Sequence, residues 1–136
     1  MTDENRRRNL AQELQRASEA FRAAEALLSL DLNADAVSRA YYAAFHLIRA
    51  LLLSRGVEPK THAGAIHLLN LELIRPGLLP SSFNRLVGGL QRSREFADYD
   101  AAVAFSADDA RAELEAARSF EAAALELLRA QGWIEA

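Results

Sequence analysis

The chain is predicted to be all-α, an antiparallel up-and-down bundle of four to five helices. Three observations carry that prediction. Half of the 136 residues are hydrophobic, with alanine the commonest, yet only three prolines and six glycines interrupt them. β-Branched residues, which favour strands, are scarce. Apolar residues also recur at alternating steps of three and four, the repeat of a helix with one buried face.

The first helix is expected over about residues 3 to 29. Leu10, Leu14, Ala17, Phe21, Ala24 and Leu28 form one continuous stripe, Thr2 is placed to cap it, and Asp3 and Glu4 suit its first turn. SLDLNAD ends it, and Asn33 or Asp31 can cap a second helix over about 34 to 55. That helix carries Val37, Tyr41, Ala44, Phe45, Ile48 and Leu52 on its apolar face. Arg39, Tyr42, His46 and Arg49 share the opposite one. Gly56 follows as a C′ residue.

The third helix starts at Thr61 and runs to about Leu73, with Pro76 expected to keep Arg75 out of the helical conformation. After the short loop RPGLLP, a fourth helix spans about 81 to 98, capped by Ser81 or Ser82. Gly88 and Gly89 lie inside it, each costing about 1 kcal/mol relative to alanine, which points to close approach of another helix or to a bend. Ser106 and Asp109 form a capping-box signal for a fifth helix over about 107 to 130, with Leu114, Ala117, Ala124 and Leu128 inward. No repeat or linker divides the chain, so a single domain over 1–136 is expected.

Composition excludes several function classes. Without cysteine there is no disulfide, thiolate metal site or cysteine nucleophile. The net charge of −3 is too small for a general affinity for nucleic acid or membrane. MTDENRRRN leads into no apolar signal segment, and LIRALLL is too short to span a bilayer; a soluble cytoplasmic protein is the expectation. His62 and His67 are five apart, the wrong spacing for two ligands on one helical face, so no metal and no cofactor are expected. Asp98 and Asp100 point apart on a helix, and capping explains Asp108 and Asp109. Paired-carboxylate chemistry therefore lacks support. The run Arg6-Arg7-Arg8 reads as a solvated first turn, and Trp133 as an anchor for the tail.

Three constellations remain. In SREFADYD, Arg94 continues the buried stripe of Phe83, Val87 and Leu90, with Asp98 one turn further on. The pair is either an internal bridge pinning the helix to the loop at DYDAAVAF, or an arginine presented to a phosphate and oriented by Asp98. In EPKTHAGAIHLL, Lys60, Thr61 and His62 stand at a helix start where an anion is favoured, or Thr61 is a plain cap. In RAYYAAFH, Tyr41 falls on the core stripe. Tyr42 shares the polar face of Arg39 and His46, a surface for stacking a base or for a subunit contact.

SRAYYAAFHLIRALL, EPKTHAGAIHLL, RPGLLP and SREFADYD, in that order, resemble the HEPN domain family, in its small stand-alone bacterial and archaeal branch. The resemblance implies a helical bundle that dimerises and often pairs with a minimal nucleotidyltransferase as toxin and antitoxin. Members that cleave RNA carry an arginine, four to six residues, then a histidine. Arg94 matches that arginine, but Tyr99, Asp100 and Ala101 stand where the histidine belongs, and Ala101 occupies the position of a tyrosine modified in a related branch. Without the histidine, the acid/base group for 2′-hydroxyl attack is missing, and no catalytic residue is assigned beyond the candidate Arg94. The expected function is a nucleotide- or RNA-binding module partnered with a nucleotidyltransferase. Its site would draw on Lys60, Thr61, His62, Arg94, Asp98 and Tyr99, with Arg39, Tyr42 and His46 secondary. A metal-independent ribonuclease toxin acting through Arg94 across a dimer seam, with His46 or His62 substituting, and a purely structural dimerisation domain are the alternatives.

Overall fold

The computed structural model describes residues 2–135. Its elements are α1 (Asp3–Ser29), α2 (Asn33–Ser54), α3 (His62–Leu69) with a π-helical turn at Asn70–Ile74, α4 (Ser82–Tyr99) and α5 (Ala107–Ala130). The expected all-α bundle is what forms, and no strand occurs among the described residues. Several ends follow local chemistry as read. The Thr2 hydroxyl accepts from Asn5 N–H, Thr61 accepts from Gly64 N–H, and Ser106 and Asp109 make a reciprocal capping box. Gly56 adopts φ +75°, while its N–H and that of Val57 bond the Leu53 and Leu52 carbonyls and close α2 as a Schellman motif.

Other expectations need correction. Neither Asn33 nor Asp31 caps α2. Asn33 is its first residue and donates instead to the Phe105 carbonyl at 3.0 Å, tying the start of α2 to the loop before α5. Ser81 makes no side-chain cap for α4; the first turn closes through Phe83 N–H to Pro80 O and Asn84 N–H to Ser81 O. Arg75 is helical (φ −57°, ψ −43°) despite Pro76. The π turn explains it: Arg75 N–H reaches back five residues to Asn70 O at 2.8 Å, and the widened ring leaves room for the proline.

The core forms around α2, which packs against α1, α3, α4 and α5. Tyr41, Leu47, Ile48, Leu51 and Leu52 of α2 are fully buried with Leu10 and Phe21 of α1, Leu90 of α4 and Phe120 and Leu128 of α5. The small residues Ala40, Ala43, Ala44 and Ala50 are buried as well, so α2 is enclosed around most of its circumference. Its supposedly polar face is half-buried.

Nor is the arginine run a solvated turn. Arg6 donates to the Leu53 and Ser54 carbonyls at the end of α2 (3.0 and 2.7 Å), and Arg7 to Gly132 O at 2.8 Å. Both guanidiniums lie over the Trp133 ring, 4.9 and 4.8 Å from its centroid, which anchors the tail as expected. Among the described residues, no other element comes within 4 Å of a Cβ placed on Gly88 or Gly89. A Cβ at either would meet only the Arg92 side chain, at 3.5 and 3.8 Å, so that face of α4 is open.

Candidate phosphate site around Arg94

Three residues on α4 decide where the arginine goes. Phe83, Val87 and Leu90 face inward, and Arg94 continues their stripe into the end of the bundle, where it is only 8% exposed. Its Nη1 lies 3.5 Å from an Asp98 carboxylate oxygen, an ion pair along the helix, not a bridge to the next loop. The loop is held by other groups: Asp100 accepts from Ala102 N–H in an Asx turn, and Asn33 binds Phe105. Arg94 Nε is buried without a partner.

What surrounds Arg94 is aromatic. Its guanidinium carbon stands 5.0 Å from the Tyr41 ring centroid and 5.9 Å from those of Tyr42 and Tyr99. Burial disfavours its charge, but Tyr42, Tyr41 and Asp98 more than offset that and raise its pKa above the ordinary value, so it stays cationic. An arginine with an unpaired buried N–H is a poor stability device, since an apolar side chain of similar length serves a core as well or better. Arg94, with Arg92, Glu95, Phe96, Tyr99 and Asp100, lines a cleft of about 660 Å³, within the range of small-ligand sites. Phe96 and Tyr99 are 51% and 79% exposed there, two apolar rings beside two cations.

α3 brings in His62. Its Nδ1 lies 2.8 Å from the Tyr41 hydroxyl, and its ring stacks on Phe45 with centroids 4.1 Å apart and 26° between planes. It also stands edge-on to Tyr42 at 5.9 Å. Burial first, then Arg94, Arg49 and His46, lower its pKa, so the imidazole is neutral at pH 7. Tyr41 thus stands between Arg94 and His62, touching both.

The other sequence candidates divide cleanly. Tyr42 belongs to the cluster and is also overlain by Arg39 at 4.6 Å. Tyr99 borders the cleft. Lys60 is exposed, and Thr61 uses its hydroxyl on the α3 cap. His46 contacts Glu13 of α1 at 3.2 Å, and Arg49 binds the same carboxylate at 3.1 Å. Burial acts to raise the Glu13 pKa, but the His46 hydrogen bond and the Arg49 charge hold it below the ordinary value. Sequence reasoning missed Tyr41, assigned to the core alone, and Phe45, Phe96 and Arg92. The buried tyrosine hydroxyl, which needs a partner, was the available signal for Tyr41.

Together these features define a small α-helical bundle with an arginine buried among tyrosines at the mouth of a cleft. The HEPN domain model matches residues 11–127, and the chain belongs to that family. It is 40% identical over 83 residues to a Methanocaldococcus jannaschii protein named "Putative toxin MJ0605", covering 61% of this chain and 62% of that one. A second protein of that organism, "Putative toxin MJ0142", is 30% identical over 104 residues, covering 76% and 71%. UPF0332 protein glr0978 of Gloeobacter violaceus is 36% identical over 89 residues, covering 65% and 71%. The match thus spans less than two thirds of the length of the first of these relatives. Among the described residues, no helix is long and apolar enough to cross a membrane.

Proposed function

We propose that this chain is a toxin–antitoxin module of the HEPN family that binds the phosphate of RNA or of a nucleotide through Arg94. The observation that carries this reading is Arg94 itself, buried among three tyrosines, incompletely paired and lining the cleft. A guanidinium so held matches a phosphate in shape and charge, and the exposed Phe96 and Tyr99 rings offer faces on which a base can stack. Asp98 orients the arginine. The module acts as a homodimer with a nucleotidyltransferase-type partner, which the resemblance of SRAYYAAFHLIRALL, EPKTHAGAIHLL, RPGLLP and SREFADYD implies; the toxin names of two relatives support a toxin–antitoxin setting. The open face at Gly88 and Gly89 is the natural place for a second copy of α4.

One observation favours a second reading, a metal-independent ribonuclease. His62 stands beside Arg94 across Tyr41 and could take the place of the histidine that Tyr99, Asp100 and Ala101 do not supply. Incubating purified protein with mixed-sequence RNA in EDTA separates the two. The binding reading predicts no cleavage by wild type or Arg94→Ala. Cleavage by wild type alone would establish the ribonuclease instead. Failure to retain a co-expressed nucleotidyltransferase would remove the proposed partnership.

A further inference from the structure

His62 and Arg94 reach the same pair of tyrosines from different helices. The His62 ring is 5.7 Å from Tyr41 and 5.9 Å from Tyr42, centroid to centroid, and Arg94 lies over both. Which imidazole nitrogen carries the proton follows from the hydroxyl. Tyr41 is fully buried, and its hydroxyl has one hydrogen-bond partner among the described residues, His62 Nδ1. Burial, only partly offset by Arg94, pushes the Tyr41 pKa up to about 12, so the phenol keeps its proton and has one acceptor to give it to. A neutral imidazole accepting at Nδ1 carries its own hydrogen at Nε2. Nε2 has no partner among the described residues and is not one of the buried unpaired atoms, so it reaches solvent. The Phe45 stack holds the ring plane and opposes the flip that would put Cδ2 in place of Nδ1 against the Tyr41 hydroxyl.

We propose that His62 completes the Arg94 site as a neutral hydrogen-bond donor, offering Nε2–H to an oxygen of the phosphate-bearing ligand that Arg94 attracts, with Tyr41 fixing the tautomer. The inference rests on the reading of Arg94 as a phosphate-binding residue and deepens it. In this tautomer Nε2 has no lone pair with which to take a proton, so His62 is a binding residue and not a general base. The site combines one permanent cation with one neutral donor, a pairing suited to a phosphate monoester or diester.

The test uses the full chain, labelled with ¹⁵N, and adenosine 5′-monophosphate as the probe. Long-range ¹⁵N–¹H correlation at pH 7 is expected to show His62 Nδ1 unprotonated and Nε2 protonated, and nucleotide is expected to shift Nε2 and its proton. His62→Gln, whose amide nitrogen can stand in for Nε2, is expected to bind the nucleotide within about twofold of wild type. His62→Asn, whose shorter amide cannot reach that position, is expected to bind about tenfold more weakly, the loss of one hydrogen bond to a charged group. An Nδ1–H tautomer, or equal losses in the Gln and Asn variants, would overturn the inference while leaving Arg94 untouched. Nucleotide binding unaffected by Arg94→Ala would overturn the reading beneath it, and with it the donation step, even with the tautomer as assigned.

Discussion

The Tyr41 hydroxyl lies 2.8 Å from Nδ1 of His62, joining the middle of α2 to the first turn of α3 beneath the guanidinium of Arg94. Removing that hydroxyl changes little else, because phenylalanine fills the same space. Tyr41→Phe is predicted to cost about 1 kcal/mol at pH 7, measured by urea unfolding. It also changes the alkaline limb. The folded Tyr41 pKa is raised to about 12 from an ordinary 10.0. Between those values the unfolded chain has lost a proton that the native state keeps, so wild-type stability falls as pH rises past 10. The variant is expected to lack that contribution to the slope.

Acid acts through His62, in the opposite sense. Its folded pKa lies below the ordinary 6.5, so in that window the unfolded chain binds the extra proton and stability rises with pH. Wild type is therefore predicted to lose stability as pH falls below about 6.5, and His62→Gln to flatten that decline. Glu13 acts lower still, because its folded pKa is below 4.5. Its contribution is present above 4.5 and is lost as pH falls through the folded value. Thermal melts in steps from pH 8 to pH 3 would resolve the two windows.

The arginine run at the N-terminus gives a structural prediction. Arg6 satisfies the last carbonyls of α2 and lies over Trp133, so Arg6→Ala is predicted to lower stability by about 2 kcal/mol. Trp133 is the only tryptophan, and its emission is expected to shift to the red as the tail loosens. An unchanged spectrum and midpoint would mean that the tail holds by other contacts.

Gly89→Ala separates the single chain from the proposed dimer. Within the chain, the added methyl meets nothing closer than Arg92 Nη2 at 3.8 Å, and alanine favours the helix by about 1 kcal/mol. The folded chain is predicted to gain stability while self-association weakens, followed by sedimentation equilibrium. Association as strong as in wild type would move the seam away from this face of α4.

Helix existence, most boundaries, three of the N-caps and the Gly56 C-cap were legible in the sequence, because they depend on near neighbours along the chain. The stripe from Phe83 to Arg94 was equally local, and it located the buried arginine. What periodicity could not carry is contact between helices. Asn33 was expected to cap its own helix but binds Phe105, 72 residues further on. Arg6 was expected in solvent but holds the end of α2. Tyr41 reads as core because it falls on the apolar stripe of α2, and the partner of its hydroxyl lies beyond a turn whose path no spacing rule describes. Arg75 departs for a different reason: the rule for residues preceding proline is a preference, and one widened turn accommodates a helical Arg75 at the cost of an α-helical hydrogen bond.

Arg94→Met distinguishes an arginine that serves a ligand, as proposed, from one that serves the core. Methionine keeps an unbranched apolar stem among the tyrosines and removes the charge and the unpaired Nε. The measurement is fluorescence anisotropy of a labelled single-stranded RNA of mixed sequence against wild type and variant, beside urea unfolding of both. The prediction is that RNA binding weakens at least about tenfold in the variant while its stability stays within about 1 kcal/mol of wild type. Equal RNA binding by the two proteins, with the variant clearly less stable, would contradict it and make Arg94 a structural residue.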